Sequence, residues 1–211
     1  MSEKDIGIEV NSEGLFKIID SLSEFPKEIR PAIAHAINKT MDSTITQVKK
    51  EVSAEYTIKQ KDVAQSIKRE RAKVNNLSST STSLGNPIPV YKFKHTPMKP
   101  PDPKIGYKQP VRATIKKGSG RKIVKNKVGN KGFILKRNGF NMIFARKGSK
   151  PYPIERIFSL SIPQMISDKD GKKGSVHRIQ ARAQEMLDKK IEQEINYRLD
   201  KVKKEAGGKG K

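Results

Sequence analysis

The side chains of this sequence that could do chemistry are mostly cations, and they are concentrated in one part of the chain. Between Val90 and Lys150 the sequence has 18 lysines and arginines and a single acidic residue, Asp102, so this stretch carries +17 of the net charge of +23. Like charges at this density repel each other and raise the free energy of the compact state. The stretch therefore predicts an anionic partner, either a nucleic acid or the acidic surface of another protein.

Seven of these cations are predicted to lie along one hairpin arm and to follow phosphates or acidic side chains. They are Lys116, Lys117, Arg121, Lys122, Lys125, Lys127 and Lys131. Together with the Pro- and Lys-rich loop before it, the arm spans residues 94–131. The alternative is a solvated surface that only keeps the protein soluble.

The sequence offers no set of residues for catalysis, for a cofactor or for a metal ion. It has no cysteine, and its three histidines, His35, His95 and His177, are far apart. The glycines of GSGRK at 118–122 and GKKGS at 171–175 lack the spacing of a phosphate-binding loop, so both stretches are predicted to be turns. Paired carboxylates for acid–base chemistry are missing from the basic stretch. We therefore predict that the protein is not an enzyme and binds no cofactor.

Membrane insertion and secretion are not predicted either. No apolar run approaches the ~18 residues of a membrane span. The opening MSEKDIGIEV has no apolar core of a signal peptide. We expect the protein to be made and to act in a soluble, cytoplasmic setting.

The basic stretch must be positioned by the elements before and after it, which are mainly helices. In these helices apolar residues recur every three or four positions. One long helix is predicted from about Pro26 to Ala54, and a second from about Val176 to Lys204. A third helix is predicted from Thr57 to Arg71, and a short strand and helix are predicted at 5–10 and 12–22. The apolar stripes of the two long helices are larger than the rest of the chain could cover. Part of one of these stripes is therefore expected to contact a neighbouring copy of the protein.

The middle of the chain is predicted to be antiparallel β-structure. Seven prolines between Pro87 and Pro110 exclude a helix, so 94–110 is predicted to be an extended loop. Asn138 and Gly139 form the dipeptide of a tight hairpin. Four strands separated by glycine-containing turns are expected at 111–117, 122–124, 132–136 and 141–146.

This order of elements predicts an α+β fold in a single domain of residues 1–211. It consists of N-terminal helices, a central antiparallel β region with a basic extended hairpin arm, and a long C-terminal helix. Residues 206–211 are expected to be a disordered tail.

One function that the residues leave open is nucleic-acid binding through the basic arm. The helix predicted at 57–71 follows the long helix closely, as in a helix-turn-helix. Tyr91, Phe93 and Tyr107 precede the arm and could stack on bases. No recognised RNA-binding signature accompanies these residues.

Several segments in order along the chain carry a more specific signal. YTIKQKDV begins at Tyr56, IPVYKF at Ile88, KKGSGRK at Lys116, IFARKG at Ile143 and YPIERIFSLSIPQM at Tyr152. In their order and spacing, over about residues 25–205, these segments resemble the minor tail protein Z family of tailed bacteriophages.

The resemblance implies that the residues of these segments have a structural role. Ile157 and Phe158 in particular are expected to be buried. The motif residues are Tyr56, Ile58, Val63, Phe144, Arg146, Pro153, Ile154, Ile157, Phe158, Pro163, Gln164 and Met165.

The resemblance also implies a virion protein that completes the tail at its head-proximal end and makes it competent to join the head. The implied partners are the tail tube or terminator protein, the head connector and further copies of this chain in a ring of six. Contact with the genomic DNA is a further expectation, and a membrane partner is not expected.

Overall fold

The computed structural model describes residues 6–10, 29–83, 85–102, 104, 106, 109–167 and 175–207. The chain divides into two compact units. Unit one comprises Met1–Val48, Ile67–Ser83 and Ile166–Lys211, and unit two comprises Lys49–Ser66 and Leu84–Met165. Along the chain, most of the antiparallel strands lie between two long helices. This order confirms the predicted α+β class. The short helix predicted at 12–22 lies outside the described residues.

The two long helices form where their apolar periodicity predicted them. Helix α1 spans Ile29–Glu55, and the last helix, which we label α4, spans Ser175–Gly207. The apolar stripe of α1 is buried throughout, and that of α4 is buried from Ile179 to Ile191. In unit one the two stripes share a hydrophobic core. The stripe of α1 is thus covered within the chain, and the contact of part of one helix with a neighbouring copy stays a prediction.

A three-stranded antiparallel sheet belongs to unit one. Its strands are β1 (Ile6–Val10), β2 (Ile67–Glu70) and β3 (Ser79–Ser83), with β3 in the centre. The sequence of β3 is STSTS, and its three serines are buried while its threonines are half-buried. The Ser79 hydroxyl donates to the carbonyl oxygen of Glu70 at 2.7 Å, so this buried hydroxyl has a partner. Serine side chains thus line the buried face of the central strand.

The prediction of a helix from Thr57 to Arg71 is wrong for most of this range. Helix α2 spans only Gln60–Ala64, and the chain then enters β2. The guanidinium of Arg69 pairs with the Asp42 carboxylate and donates to the carbonyl oxygen of Asn38 at 2.8 Å, which fixes β2 against α1. Pairing with β3 supplies the backbone hydrogen bonds that a helix would otherwise make. The second helix of the suggested helix-turn-helix is thus reduced to the five residues of α2.

Unit two contains two three-stranded antiparallel sheets around one core. The first sheet has the order β4 (Lys94–Thr96), β5 (Arg112–Thr114) and β6 (Lys122–Ile123), and the second has the order β7 (Phe133–Arg137), β8 (Phe140–Arg146) and β9 (Ile154–Arg156). A short 3₁₀ turn at Val90–Lys92 precedes β4, and helix α3 (Ile162–Ile166) follows β9. The core cluster consists of Val90, Val111, Ala113, Val124, Ile134, Ile143, Ala145 and Ile157.

Local backbone chemistry accounts for the β7–β8 hairpin. Asn138 and Gly139 have φ angles of 51° and 78°, the left-handed conformation that Asn and Gly tolerate best. The predicted tight turn is therefore confirmed.

The segment predicted as a loop at 94–110 begins instead with β4, which pairs with β5. At the other end of the chain α4 continues to Gly207, so the predicted tail begins inside the helix.

Acid is expected to weaken unit one through Glu194 on α4. Its carboxylate accepts a hydrogen bond from Lys39 Nζ at 2.7 Å and lies 3.0 Å from His35 Nδ1, both on α1. Burial alone raises the pKa of Glu194, but hydrogen bonds and charge from Lys39 and His35 lower it below the ordinary value of 4.5. A lowered pKa stabilises the fold above the ordinary value, and this stabilisation is lost as the pH falls through the folded-state pKa.

Denaturant unfolding at a series of pH values from neutral down to about pH 3 tests this expectation. The Glu194→Gln variant should be less stable than the wild type at neutral pH and should lose less stability on acidification. Glu192→Gln, on an exposed residue of the same helix, is the matched control. An equal acid dependence in Glu194→Gln and wild type would contradict the expectation.

Candidate functional site

The predicted basic arm divides into two groups, of which the first is bound to the end of α1. The Lys116 ammonium pairs with the Glu55 carboxylate. Lys117 Nζ donates to the carbonyl oxygen of Ser53 at 2.7 Å, and the Lys117 backbone N–H donates to that of Glu55 at 2.8 Å. The last carbonyls of a helix lack partners within it, and a lysine can satisfy them. Lys117 therefore caps the C-terminus of α1, and Lys116 pairs with the side chain of its last residue.

Tyr56 directly follows this helix end and is part of the same arrangement. It forms an isolated β-bridge with Lys116, and only 8% of its surface is exposed. Burial, and next the Glu55 carboxylate, raise the pKa of Tyr56, while Lys116 opposes this shift. Tyr56 is thus a neutral structural residue at neutral pH.

The other five cations form the second group, which we call the exposed set. It consists of Arg121, Lys122, Lys125, Lys127 and Lys131, and all five are exposed. Lys125 and Lys131 face each other in a β-bridge. The loop between them is closed by a hydrogen bond from Asn126 N to Asn130 O at 3.0 Å. The exposed set thus runs from the residue before β6 through the loop after it, where it can meet an anionic partner.

A cleft of 650 Å³ opens beside this loop in unit two. Its lining comes from three separate parts of the chain, at 109–110, 129–133 and 146–149. Lys131 and Arg146 supply its cations, and Phe133 and Pro110 supply apolar surface. We call it the Arg146 cleft. The cleft was not predicted from the sequence, although glycines at 129, 132 and 148 lie close to Lys131 and Arg146 in the chain.

Most of the family-motif residues lie in the interior, and Pro163 is one of them. Ile154 is half-buried. Arg146 and Pro153 are exposed, and the Tyr152–Pro153 peptide bond is cis. The other interior motif residues are Ile58, Val63, Phe144, Ile157 and Met165.

Gln164 is exposed but has a local structural role at the start of α3. Its side-chain oxygen accepts a hydrogen bond from the Ser161 backbone N–H at 2.9 Å. The Ser161 hydroxyl lies 3.5 Å from the backbone N–H of Gln164, which donates to it. This reciprocal pair is a capping box, which satisfies two backbone donors at a helix start. The SIPQ segment thus begins a helix.

The prediction that Phe158 is buried is wrong. Its side chain is 49% exposed, whereas its neighbour Ile157 is 8% exposed. The segment is extended and pairs with residues 88–90, since Val90 N donates to Ile157 O and Ser159 N donates to Ile88 O. Successive side chains of an extended segment point to opposite faces. Ile157 therefore enters the core, while Phe158 and Leu160 form an exposed apolar pair.

A second exposed apolar surface lies at the tip of the β7–β8 hairpin. Leu135 is opposite Met142 and Arg137 is opposite Phe140 in the strand register, so these four side chains share one face. Phe140 is 64% exposed and Leu135 is 39% exposed. The other face of the hairpin carries Ile134, which is buried in the core. Exposed apolar side chains grouped in this way make the hairpin tip a candidate contact surface.

The described ranges also bear on metal binding and on membrane insertion. Among these residues there is no group of three His, Cys, Asp or Glu side chains that could hold a metal ion. No helix in the described ranges is long and apolar enough to cross a membrane. His95 is buried, with Nδ1 2.8 Å from the carbonyl oxygen of Phe93.

The comparisons with known proteins identify one match. Residues 13–205 match the family model described as prophage minor tail protein Z. No curated protein and no solved structure matches the chain.

Proposed function

Since the chain belongs to the prophage minor tail protein Z family, we propose that it completes the phage tail at its head-proximal end and prepares that end to join the head connector. Membership makes it a structural component of the phage tail and hence of the virion. The completion role, its position in the tail and its ring assembly are the proposal.

The observation that carries the proposal is the combination of exposed cations with exposed apolar side chains in unit two. The exposed set supplies positive charge, and Phe140, Phe158 and Leu160 supply apolar contact area. Protein interfaces combine an apolar core with a polar or charged rim. These surfaces suit contacts with the acidic faces of other tail or connector proteins.

We further propose that six copies form a ring. The buried stripe of α1 does not support this assembly, so the contacts between copies must use other surfaces. The tip of the β7–β8 hairpin and the pair Phe158 and Leu160 are the exposed apolar candidates. A ring requires two different patches of the same chain to contact each other, and these two patches meet that requirement.

Free-standing nucleic-acid binding is less well supported. Phe93 is only 3% exposed, so its ring is not available to stack on bases. Tyr107 lies outside the described residues, and β2 replaces the second helix of the expected helix-turn-helix. The exposed set remains suited to incidental contact with DNA, because any dense group of cations attracts phosphates.

Phage assembled without this chain provides the test. We expect tails of normal length that do not join heads, and joining should be restored when the purified protein is added. Imaging of completed tails should show a six-fold ring of this chain at the head-proximal end. Tails that join heads normally without it, or a position at the distal end, would contradict the proposal.

A further inference from the structure

The Arg146 cleft is a preformed concave site. Asn130 Nδ2 donates to the carbonyl oxygens of Arg146 at 2.8 Å and Gly148 at 3.3 Å. Asn126 Nδ2 donates to the same Arg146 carbonyl at 2.9 Å, and its Oδ1 accepts from Asn130 N at 2.9 Å. Two asparagines thus join the walls formed by the loops at 126–130 and 146–148. Because these bonds use backbone atoms of Arg146, its guanidinium takes no part in them.

The cleft is also positively charged. Among the described residues that line it, Lys131 and Arg146 are cationic and none is acidic. The nearby Glu155 carboxylate accepts a hydrogen bond from Asn126 Nδ2 at 2.9 Å, outside the lining. Lys147 and Lys150 add further exposed positive charge next to the 146–149 wall. An anionic group entering the cleft would therefore be attracted from several sides.

We infer that this cleft binds an acidic peptide segment of a partner protein, with a carboxylate held by Arg146 and Lys131. A guanidinium binds a carboxylate with two parallel hydrogen bonds. Gln109, Asn130 and Ser149 offer polar partners for a peptide backbone, and Phe133 and Pro110 offer contact for its apolar parts. The volume of 650 Å³ lies in the range of pockets that bind small ligands, which suits a few residues of an extended chain.

The shape of the site favours a peptide over a nucleic acid. The phosphates of a DNA duplex lie on its convex outer surface, so they meet protruding cations more readily than a concave cleft. Single strands bind through exposed aromatic rings on which bases stack, whereas Phe133 is half-buried. The inference rests on the proposed function only in that the peptide would come from a neighbouring tail or connector protein.

Fluorescence anisotropy on the isolated protein tests the cleft directly. The probe is a short blocked peptide of alternating glutamate and glycine that carries a fluorophore, measured at low salt. Arg146→Gln and Lys131→Gln are each expected to raise its Kd about tenfold, as for loss of a hydrogen bond to a charged group. The control Lys68→Gln removes the same charge from an exposed position in unit one and should change Kd less than about twofold.

Two results would overturn the inference. One is an equal loss of peptide affinity in Lys68→Gln and the cleft variants, which would indicate attraction by net charge alone. The other is a lower affinity of Arg146→Gln for a fluorescent single-stranded oligonucleotide together with an unchanged affinity for the peptide. That result would assign the cleft to nucleic acid. Circular dichroism of each variant checks that the fold is kept. Failure here leaves the head–tail joining test of the proposed function unaffected, because that test uses whole phage.

Discussion

Truncating Leu187 to alanine is expected to lower the free energy of unfolding by about 2–5 kcal/mol, the range for large-to-small changes at fully buried positions. Leu187 on α4 is 0% exposed and lies in the core that α4 shares with α1 in unit one. Removal of its side chain leaves a cavity among Ile33, Ile37 and their neighbours in that core. Since domains are stable by only about 5–15 kcal/mol, the loss is a large fraction of the total.

Chemical denaturation of the purified protein measures this effect. Leu160→Ala is the matched control, because it makes the same chemical change at a leucine that is 40% exposed. It should cost less than about 1 kcal/mol, since partly exposed positions lose less on truncation. Equal losses in the two variants would show that Leu187 is not the core residue that its burial indicates.

Replacing Arg121, Lys122, Lys125 and Lys127 by glutamate is expected to reduce head–tail joining on the order of 100-fold, because like charges at an interface cost several kcal/mol. These residues belong to the exposed set, so the change should leave the fold and the tail length unaltered. Lys116 and Lys117 are excluded from the variant because both bind the end of α1. Lys131 is excluded because it lines the Arg146 cleft.

The control for this variant carries the same change in net charge in unit one, with glutamate at Lys68, Lys73, Arg182 and Lys189, all of them exposed. It should join heads at nearly the normal rate. Joining is measured in vitro by mixing tails with heads and counting infectious particles. Normal joining by the arm variant would identify the exposed set as a solubilising surface.

The long helices could be predicted from the sequence because their stabilising pattern is local. Apolar residues at every third or fourth position of α1 and α4 face one core, and a single stripe specifies both helix and buried side. The β7–β8 hairpin was predictable for a similar reason, since Asn138 and Gly139 determine the turn by their own backbone preferences.

The strands of unit one were not predictable in this way. Residues 57–71 have helical spacing at Ile58, Val63 and Ile67, but β2 is stabilised by β3 and by the contacts of Arg69 with α1. β3 itself has no apolar residue to mark a buried face. In both strands the deciding contacts come from distant parts of the chain, which overrides local propensity.

The candidate site was only partly predictable for the same reason. Charge density identifies the basic stretch as a candidate, but the capping contacts of Lys117 join residues that are 64 positions apart. Phe158 was predicted to be buried from its motif, whereas the alternation of an extended segment exposes it. The Arg146 cleft combines three distant stretches, so its shape emerges only in the folded chain.

The serine and threonine composition of β3 has a consequence for the chain before it reaches the tail. Segments that are prone to form cross-β fibrils combine high β-propensity, high hydrophobicity and little charge. The central strand of unit one, STSTS, is uncharged but has no apolar residue, so it lacks the hydrophobicity. A partly unfolded copy thus exposes no apolar central strand as a template for other copies. We therefore expect this strand to promote fibril formation less readily than an apolar central strand would.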